Sequence, residues 1–254
     1  MALGKFDGIQ DTNIGKLVSL PSANIGSVGG NALSAAPDAY TKLLLHMDGT
    51  EESNTFVDSS QTPKTVTPYG NARTVSGHQK FGATGGYFGS ASDYLSIPTS
   101  TDFEVTGGDF TIDFWTYSTQ YPVSGEAKFF VSYGVHANGQ TWYEVSFGED
   151  HNVWVALYNS GYIILIASST NLPLNQLVHI AVVRSGNTVS LYFNGVLKGS
   201  TIYSGSYTPT GKTLWIGYNS SGGHGALASY IDELRISKGI ARWTTDFTPP
   251  TSPY

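Results

Sequence analysis

The sequence has no cysteine among its 254 residues, and this absence excludes disulfides, thiolate zinc sites and cysteine nucleophiles together. Charged residues are scarce as well: they make up 13% of the chain, about half the share in typical soluble domains. The net charge is −6, and the few lysines and arginines form no basic block or stripe. We therefore expect no nucleic-acid partner, because duplex binding depends on neutralising phosphates.

Long apolar segments are also missing. The longest apolar stretches, such as residues 162–167, have the length of a strand, so the sequence predicts no membrane insertion. The first residues, MALGKFDGIQDTN, contain no apolar run of signal-peptide length, and we expect no export by a cleaved signal.

Residues 1–40 differ in composition from the rest of the chain. They are rich in glycine, serine, alanine and asparagine, and the pentapeptide NIGKL at 13–17 returns as NIGSV at 24–28. A segment with so little apolar mass cannot offset its own ordering entropy. We expect either a flexible leader or an attachment arm that orders on a partner or in an oligomer. The domain boundary is placed between residues 40 and 41.

The remaining residues, 41–254, show the pattern of strands and turns. Phe110, Ile112 and Phe114 alternate with polar or outward-facing positions, which is the period of a half-buried strand. Asn194-Gly195 separates two apolar runs, and this dipeptide favours the two-residue turn of a hairpin. Many short strands at regular spacing predict an all-β sandwich or barrel.

Several motifs in this region resemble one known family, and they occur in its order along the chain. They are LLLHMDG (43–49), FVDSS (56–60), KFG (80–82), DYLSIP (93–98), GGDFTIDFW (107–115), LVHIAVVRSGNTVSLYFNG (177–195), LWIGYN (214–219) and YIDELRISKGIARWTTDFTPPTSPY (230–254). The sequence is similar to laminin-G-like, concanavalin A-like jelly-roll domains of the kind found in bacteriophage structural proteins. This resemblance implies an antiparallel two-sheet jelly-roll sandwich, with binding or structural work more often than catalysis.

The enzymatic activity that the resemblance suggests is glycan hydrolysis, because the same fold includes β-glucanases. Those enzymes carry two glutamates and an aspartate on one strand, and the sequence has no such run. Its adjacent pairs Glu149-Asp150 and Asp232-Glu233 point to opposite faces of a strand, whereas retaining hydrolysis needs two carboxyl groups on one face. We therefore predict that the protein is not an enzyme. A same-face carboxylate pair in a groove would favour the alternative of a glycan hydrolase.

Calcium is the cofactor that the resemblance implies, at one edge of the sandwich. Asp232 alternates with Leu234 and Ile236, which predicts an inward carboxylate that needs a partner or a cation. Asp48 alternates with Leu44 in the same way, and Asp58 lies in the following turn. Oxygen ligands from separated loops suit Ca²⁺. In the alternative interpretation, Asp48 and Asp58 cap turns and Asp232 accepts hydrogen bonds from backbone amides.

Carbohydrate binding needs exposed aromatic faces beside a few polar groups. Trp115, Trp215 and Trp243 lie in family motifs and are assigned to the framework. The candidates for a surface platform come from the less diagnostic middle section: Trp142, Tyr143, Trp154, Tyr158 and Tyr162. Alternatively, these rings fill the face of the second sheet or an oligomer interface.

Two main functional hypotheses follow from the resemblance. In the first, a non-catalytic virion protein, assembled in the host cytoplasm, displays the domain on the particle surface for adhesion to host-surface glycans. Its residues 1–40 contact other virion proteins, and many copies or a homo-oligomer raise the avidity of weak sites. In the second, the protein is a purely structural capsid decoration or tail protein whose sandwich contacts neighbouring subunits.

Overall fold

The computed structural model describes residues 36–105, 107–134, 142–159, 162–204, 211–219 and 228–254; at 142, 158–159 and 162–164 it describes the backbone alone. The attachment arm therefore lies outside the described residues, and its role stays a prediction. Within the described part of the chain, we find no helix with the length and apolar character needed to cross a membrane.

The described residues form strands along almost the whole chain, with a short 3-10 helix at Thr101–Phe103. The strands are β1 (Thr41–Leu45), β2 (Thr67–Tyr69), β3 (Arg73–Val75), β4 (Gly85–Phe88), β5 (Tyr94–Ile97), β6 (Phe110–Ser118), β7 (Ala127–Tyr133), β8 (Trp142–Gly148), β9 (Val153–Asn159), β10 (Tyr162–Ala167), β11 (Leu177–Ser185), β12 (Thr188–Phe193), β13 (Val196–Ile202), β14 (Leu214–Ile216) and β15 (Ser229–Lys238).

These strands pair into two antiparallel sheets. The eight-stranded sheet has the order β13-β12-β11-β6-β15-β4-β3, and β1 pairs with β15 beside this path. The seven-stranded sheet has the order β10-β9-β8-β7-β14-β5-β2. The predicted antiparallel two-sheet sandwich is confirmed.

The core lies between the inner faces of the two sheets. From the eight-stranded sheet, the alternating residues Phe110, Ile112 and Phe114 of β6 are buried, as their period predicts. The ring of Phe114 packs against Phe130 of β7, with centroids 5.1 Å apart. Burial of one such side chain contributes roughly 1.5–3 kcal/mol.

The predicted hairpin at Asn194-Gly195 is confirmed. Phe193 and Val196 are paired across the turn, and both turn residues have positive φ, 48° at Asn194 and 78° at Gly195. Such angles define the tight turn that matches the twist of two antiparallel strands.

A β-bulge in β15 changes the direction of Asp232. Asp232 pairs with Trp115 and Arg235 pairs with Asp113, so β15 has one more residue than β6 over this stretch. The bulge is centred on Glu233, which has a φ of 50°. As a result, Asp232 lies on the same outer face as Trp115 and Arg235, and the prediction of an inward carboxylate is wrong.

Residues 239–254, here called the carboxy-terminal strap, cross the outer face of the eight-stranded sheet. Trp243 and Phe247 stack on each other with centroids 4.0 Å apart, and they pack with Ala181 and Tyr192 into a small second core. The backbone N–H of Phe247 donates to the carbonyl of Gly195 at 2.9 Å. The strap thus buries the outer face of this sheet over β11 and β12.

Candidate functional site

The outer face of the seven-stranded sheet differs from that of its partner sheet. The strap lies on the eight-stranded sheet over β11 and β12, and exposed apolar side chains of that sheet lie on its edge strand β13, namely Val196, Leu197 and Ile202. The seven-stranded sheet carries exposed apolar side chains on both of its edge strands, 54% exposed for Leu165 and 45% for Tyr69. A contiguous apolar patch beside polar groups marks an interaction surface. The outer face of the seven-stranded sheet is therefore the candidate site.

One row of side chains runs across this face from β5 to β10. The strand register places these residues opposite one another, in the order Ser96, Trp215, Ser132, Glu144, Ala156 and Leu165. Trp215 belongs to the outer face because its neighbours Leu214 and Ile216 are fully buried in the core. A serine on each side leaves room beside the indole, which is half-buried.

Trp154 lies on the same face, on β9, opposite Ser146 of β8. Three strand spacings separate β9 from β14, so the two tryptophans stand about 14 Å apart across the sheet. The Trp154 indole donates a hydrogen bond from Nε1 to Asp150 Oδ1 at 3.0 Å. Burial alone would raise the pKa of Asp150, but the hydrogen bonds from Trp154 and Asn152 lower it. The hydrogen bond from Trp154 Nε1 to Asp150 fixes the orientation of the indole ring.

Glu144 lies between the two tryptophans and is 6% exposed. Burial raises the pKa of Glu144 to about 8, although a hydrogen bond from Asn219 acts in the opposite direction. Asn219 Nδ2 donates to Glu144 Oε2 at 2.7 Å. At neutral pH the carboxyl group is therefore largely protonated, and it can both donate and accept hydrogen bonds.

A depression of about 500 Å³ opens on this face beside Trp154. Glu144, Ser146 and Ala156 contribute strand residues to its lining, and Leu165 adds an apolar wall. The loop before β7 and the turn after β8 supply the rest of the lining, namely Gly125, Glu126, Ala127, Gly148, Glu149 and Asp150. The depression thus combines one indole, aliphatic groups and several carboxyl groups.

Three tyrosines extend the aromatic surface beyond Trp215. Tyr69 stacks on Tyr94 with centroids 4.6 Å apart, and Tyr94 stacks on Tyr218 at 4.4 Å. The Trp215 ring meets Tyr218 edge-on at 6.2 Å. These aromatic groups were not predicted as part of a site. The pattern Leu-Trp-Ile at 214–216 contained the signal, because two core aliphatics on either side send the central ring outward.

The structure separates the predicted aromatic candidates. Trp154 lines the depression. Tyr143 is buried in the core at 1% exposure, and its hydroxyl donates to the carbonyl of Phe103 at 3.0 Å. Tyr143 therefore cannot offer its ring to a ligand, because it alternates with outward-facing Glu144. The side chains of Trp142, Tyr158 and Tyr162 lie outside the described part of the structure.

The framework assignments divide in a similar way. Trp115 is 5% exposed and packs at the outer face of the eight-stranded sheet, with its ring centroid 5.1 Å from that of His179. Trp243 packs within the strap, as predicted. Trp215 is the exception, because it lies outside the core on the candidate face.

Among the predicted calcium ligands, Asp58 anchors a turn. Its Oδ1 accepts hydrogen bonds from the backbone N–H groups of Leu44 and Ser60, at 3.1 and 2.9 Å. Its Oδ2 accepts from the N–H of Lys64 at 2.8 Å. Asp58 is 3% exposed, and these bonds occupy both of its oxygens as the turn-capping interpretation expects.

Asp48 and Asp232 hold one loop, residues 80–83. Asp232 Oδ2 accepts from the N–H groups of Lys80 and Phe81, at 2.7 and 3.1 Å, and Asp48 Oδ1 accepts from Ala83 at 3.0 Å. Asp232 Oδ1 is buried without a hydrogen-bond partner. The pKa of Asp232 is raised to about 7: burial is the main cause, the charges of Glu233 and Asp48 act in the same direction, and the hydrogen bonds from the Phe81 and Lys80 amides act against them.

These contacts test the three-aspartate calcium site. Asp48 and Asp232 offer oxygen ligands near one another, and the unpartnered Oδ1 of Asp232 fits a hard cation. Asp58 does not join them. Within the described residues, no three histidine, aspartate or glutamate side chains converge to hold a metal. Calcium therefore stays a prediction that involves Asp48 and Asp232.

Comparison with known proteins gives one family match. The model of the concanavalin A-like lectin/glucanases superfamily (Laminin_G_3) matches residues 88–242. No curated protein matches the sequence.

Many solved structures share the fold. The binding domain of botulinum neurotoxin serotype C1 aligns over 79% of this chain with a TM-score of 0.59 and 13% identity. The binding domain of Paraclostridial Mosquitocidal Protein 1 aligns over 78% with a TM-score of 0.61 and 16% identity. A further structure is of botulinum neurotoxin type C, a toxin whose cell entry depends on interaction with two ganglioside molecules. It aligns over 79% of this chain with a TM-score of 0.59 and 13% identity. This chain spans 49% of the length of each of the three.

Proposed function

The chain belongs to the concanavalin A-like lectin/glucanases superfamily, and we propose that it is a non-catalytic protein that binds carbohydrate. The site is the outer face of the seven-stranded sheet. The observation that carries this proposal is the row in which Trp215 and Glu144 flank Ser132, with Trp154 on the same face.

The chemistry of this face suits a sugar. A sugar ring has apolar C–H faces that stack on aromatic side chains, and hydroxyl groups at its edge that need polar partners. Trp154 and Trp215 supply the aromatic faces, and Glu144 and Asn219 supply a buried pair of polar groups between them. Small residues such as Ser132 and Ala156 leave space above the sheet. Specificity in such pockets comes from a few fixed polar groups.

Titration calorimetry with glycans selected on an array tests this proposal. Replacing either tryptophan, in Trp154→Ala or Trp215→Ala, should weaken binding roughly fivefold to a hundredfold, since loss of one stacking contact costs about 1–3 kcal/mol. The matched control is Tyr40→Ala, which removes an exposed ring, 48% accessible, beside the strap. Unchanged affinity in both tryptophan variants would contradict the proposed face, and an array without any bound glycan would contradict the function.

One observation favours the alternative of a glycan hydrolase. Glu144 has a raised pKa and Asp150 a lowered one, and both line the same depression, as an acid and a nucleophile would. However, Asp150 Oδ1 and Oδ2 accept hydrogen bonds from Trp154 and Asn152, which leaves the carboxylate oriented toward its own turn. We expect no new reducing ends when the protein is incubated with a bound glycan.

The proposal also names the particle that carries the domain, and this part of the proposal rests on the sequence resemblance alone. We place the protein on the surface of a bacteriophage virion, attached to other virion proteins through residues 1–40. A density map of the native particle tests this placement. The seven-stranded sheet should face the solvent, whereas a sheet buried between subunits would favour the purely structural role. Calcium at Asp48 and Asp232 would be a structural cofactor that neutralises their carboxylates.

A further inference from the structure

The charged groups that line the depression beside Trp154 are all acidic. Glu126, Glu149 and Asp150 contribute carboxylates, the largely protonated Glu144 adds a neutral carboxyl group, and no lysine or arginine is found among the described lining residues. Glu149 Oε2 accepts a hydrogen bond from the N–H of Gly125, so this carboxylate is fixed at the wall. A ligand in the depression therefore meets oxygen atoms that accept hydrogen bonds and repel anions.

Cationic residues are also scarce over the rest of this sheet, where Lys212 lies just before β14. In the seven strands of this sheet, the one cationic residue is Lys128, which is 3% exposed. Burial lowers the pKa of Lys128, against the opposite influence of Glu126. The internal segments that the structure does not describe contain no lysine or arginine in the sequence; they are 106, 135–141, 160–161, 205–210 and 220–227.

The eight-stranded sheet carries more cationic residues. Its strands contain six of them, namely Lys42, Arg73, Arg184, Lys198, Arg235 and Lys238, together with three buried acidic residues, Asp113, Asp232 and Glu233. The fourth arginine of the chain, Arg242, lies in the strap on that sheet and pairs with Asp38 at 3.0 Å. All arginines thus lie on one side of the sandwich, away from the candidate face.

This distribution decides which sugars the face can take. Recognition of a carboxylate or sulfate group on a sugar relies on arginine or lysine, which form charge-assisted hydrogen bonds with it. The candidate face has no accessible cation on its strands, and a second anion beside Glu126 or Asp150 would be repelled. Neutral sugars avoid this repulsion, because their hydroxyl groups donate hydrogen bonds to carboxyl oxygens.

We infer that the depression selects glycans without acidic groups and rejects those that carry sialic acid, uronic acid or sulfate. This inference rests on the proposed function and adds the substrate class to it. The ligand is a neutral glycan chain that stacks on Trp154 and donates hydroxyl hydrogen bonds to the carboxyl groups around it.

An array of matched glycan pairs tests the inference on the full-length protein. Each neutral glycan is printed beside its acidic counterpart, and lactose with sialyllactose serves as the reference pair in solution. Within each bound pair we expect the neutral member to bind roughly tenfold tighter or more. The preference should shrink when the salt concentration rises, because surface charges are then screened.

A charge-reversal variant separates electrostatic rejection from a steric effect. Glu126 lies at the rim of the depression, and Glu126→Lys should reduce the neutral-over-acidic ratio several-fold. Its control is Glu51→Lys, which makes the same change in net charge at an exposed position next to β3 and should leave the ratio as in the wild type. An unchanged ratio in Glu126→Lys would overturn the electrostatic explanation.

The outcomes distinguish the two proposals. If acidic glycans bind as well as their neutral partners or better, the inference is wrong and the binding function stands. If neither member of any pair binds, the proposed function fails and the inference falls with it. Neutral binding that Trp154→Ala abolishes, together with a ratio that Glu126→Lys reduces, supports both.

Discussion

The Tyr254 hydroxyl donates a hydrogen bond to Asp113, a residue 141 positions earlier in the chain. Arg235 approaches the same carboxylate with Nε and Nη2, each at 3.0 Å, and its guanidinium lies 3.7 Å from the centre of the Tyr254 ring. Burial alone would raise the pKa of Asp113, but Arg235 and His179 lower it to about 2. The end of the strap therefore supplies one of the hydrogen bonds that stabilise the fully buried carboxylate of Asp113.

Loss of this hydroxyl should destabilise the fold. Tyr254→Phe keeps the ring on Arg235 but removes a donor to a buried carboxylate, which costs about 1–3 kcal/mol. Urea unfolding measures the change. The control is Tyr40→Phe, at an exposed ring, which should change the unfolding free energy by less than about 0.5 kcal/mol. Equal stability of the two variants would contradict an anchoring role for Tyr254.

Two glycines near the Asp48 loop form a matched pair for a second prediction. Gly82 has a φ of +65°, and a Cβ there would lie 1.9 Å from Asp48 Oδ1. Gly77 has a φ of +100° with nothing within 4 Å of its would-be Cβ. Gly77→Ala should cost about 1–2 kcal/mol from backbone conformation alone, and Gly82→Ala about 2 kcal/mol more through the displaced carboxylate.

A double-mutant cycle checks the cause of that difference. In an Asp48→Ala background the contact no longer exists, so the extra cost of Gly82→Ala should largely disappear. If the extra cost persists without the carboxylate, the contact with Asp48 is not its source.

Glu144 should make stability depend on pH. Its pKa is raised from 4.5 to about 8 in the folded protein, so the folded state keeps a proton that the unfolded state has released. The contribution of Glu144 to the free energy of unfolding is therefore fully present below its unfolded-state pKa, and it is lost as the pH rises through its folded-state pKa. Melting curves between about pH 5 and pH 8 should show this decline, and Glu144→Gln should reduce it, leaving the part that Asp232, whose pKa is raised to about 7, contributes. A Glu51→Gln control, changed at an exposed carboxylate, should keep the wild-type slope.

Calcium removal gives a fourth prediction. If Asp48 and Asp232 hold a structural Ca²⁺, EDTA should lower the melting temperature and added Ca²⁺ should restore it. Asp232→Asn should abolish this response. Asp58→Asn should lower the melting temperature by weakening its turn but keep the response to calcium. If neither EDTA nor added Ca²⁺ changes the melting temperature of the wild type, a structural Ca²⁺ at Asp48 and Asp232 is ruled out.

The sequence was sufficient to predict the sandwich and parts of its interior, because alternation and turn chemistry act locally. Phe110, Ile112 and Phe114 face inward, and Asn194 turns the chain, as their patterns predict. Alternation failed for Asp232, since the bulge at Glu233 belongs to the pairing of β15 with β6, a strand more than 110 residues earlier in the chain. No local pattern in the sequence contains that pairing.

The candidate site was harder to predict for a similar reason. Trp154 was predicted as a surface aromatic, but Trp215 and Tyr218, which lie in and just after β14, come from a part of the sequence far along the chain. A family motif suggested framework for Trp215, whereas the alternation of Leu214 and Ile216 into the core places its ring on the outer face. That β14 lies in the same sheet as β9 follows from the strand order, which no local pattern in the sequence contains.

The carboxylates around the depression also affect how fast the protein meets its target. Glu126, Glu149 and Asp150 give this side of the molecule a negative potential, whereas three of the four arginines on the other side are each paired with a carboxylate. A negatively charged surface therefore repels the candidate face, and added salt screens this repulsion. The association rate with glycans on such a surface should rise with salt, the reverse of what electrostatic steering produces in most fast-binding proteins.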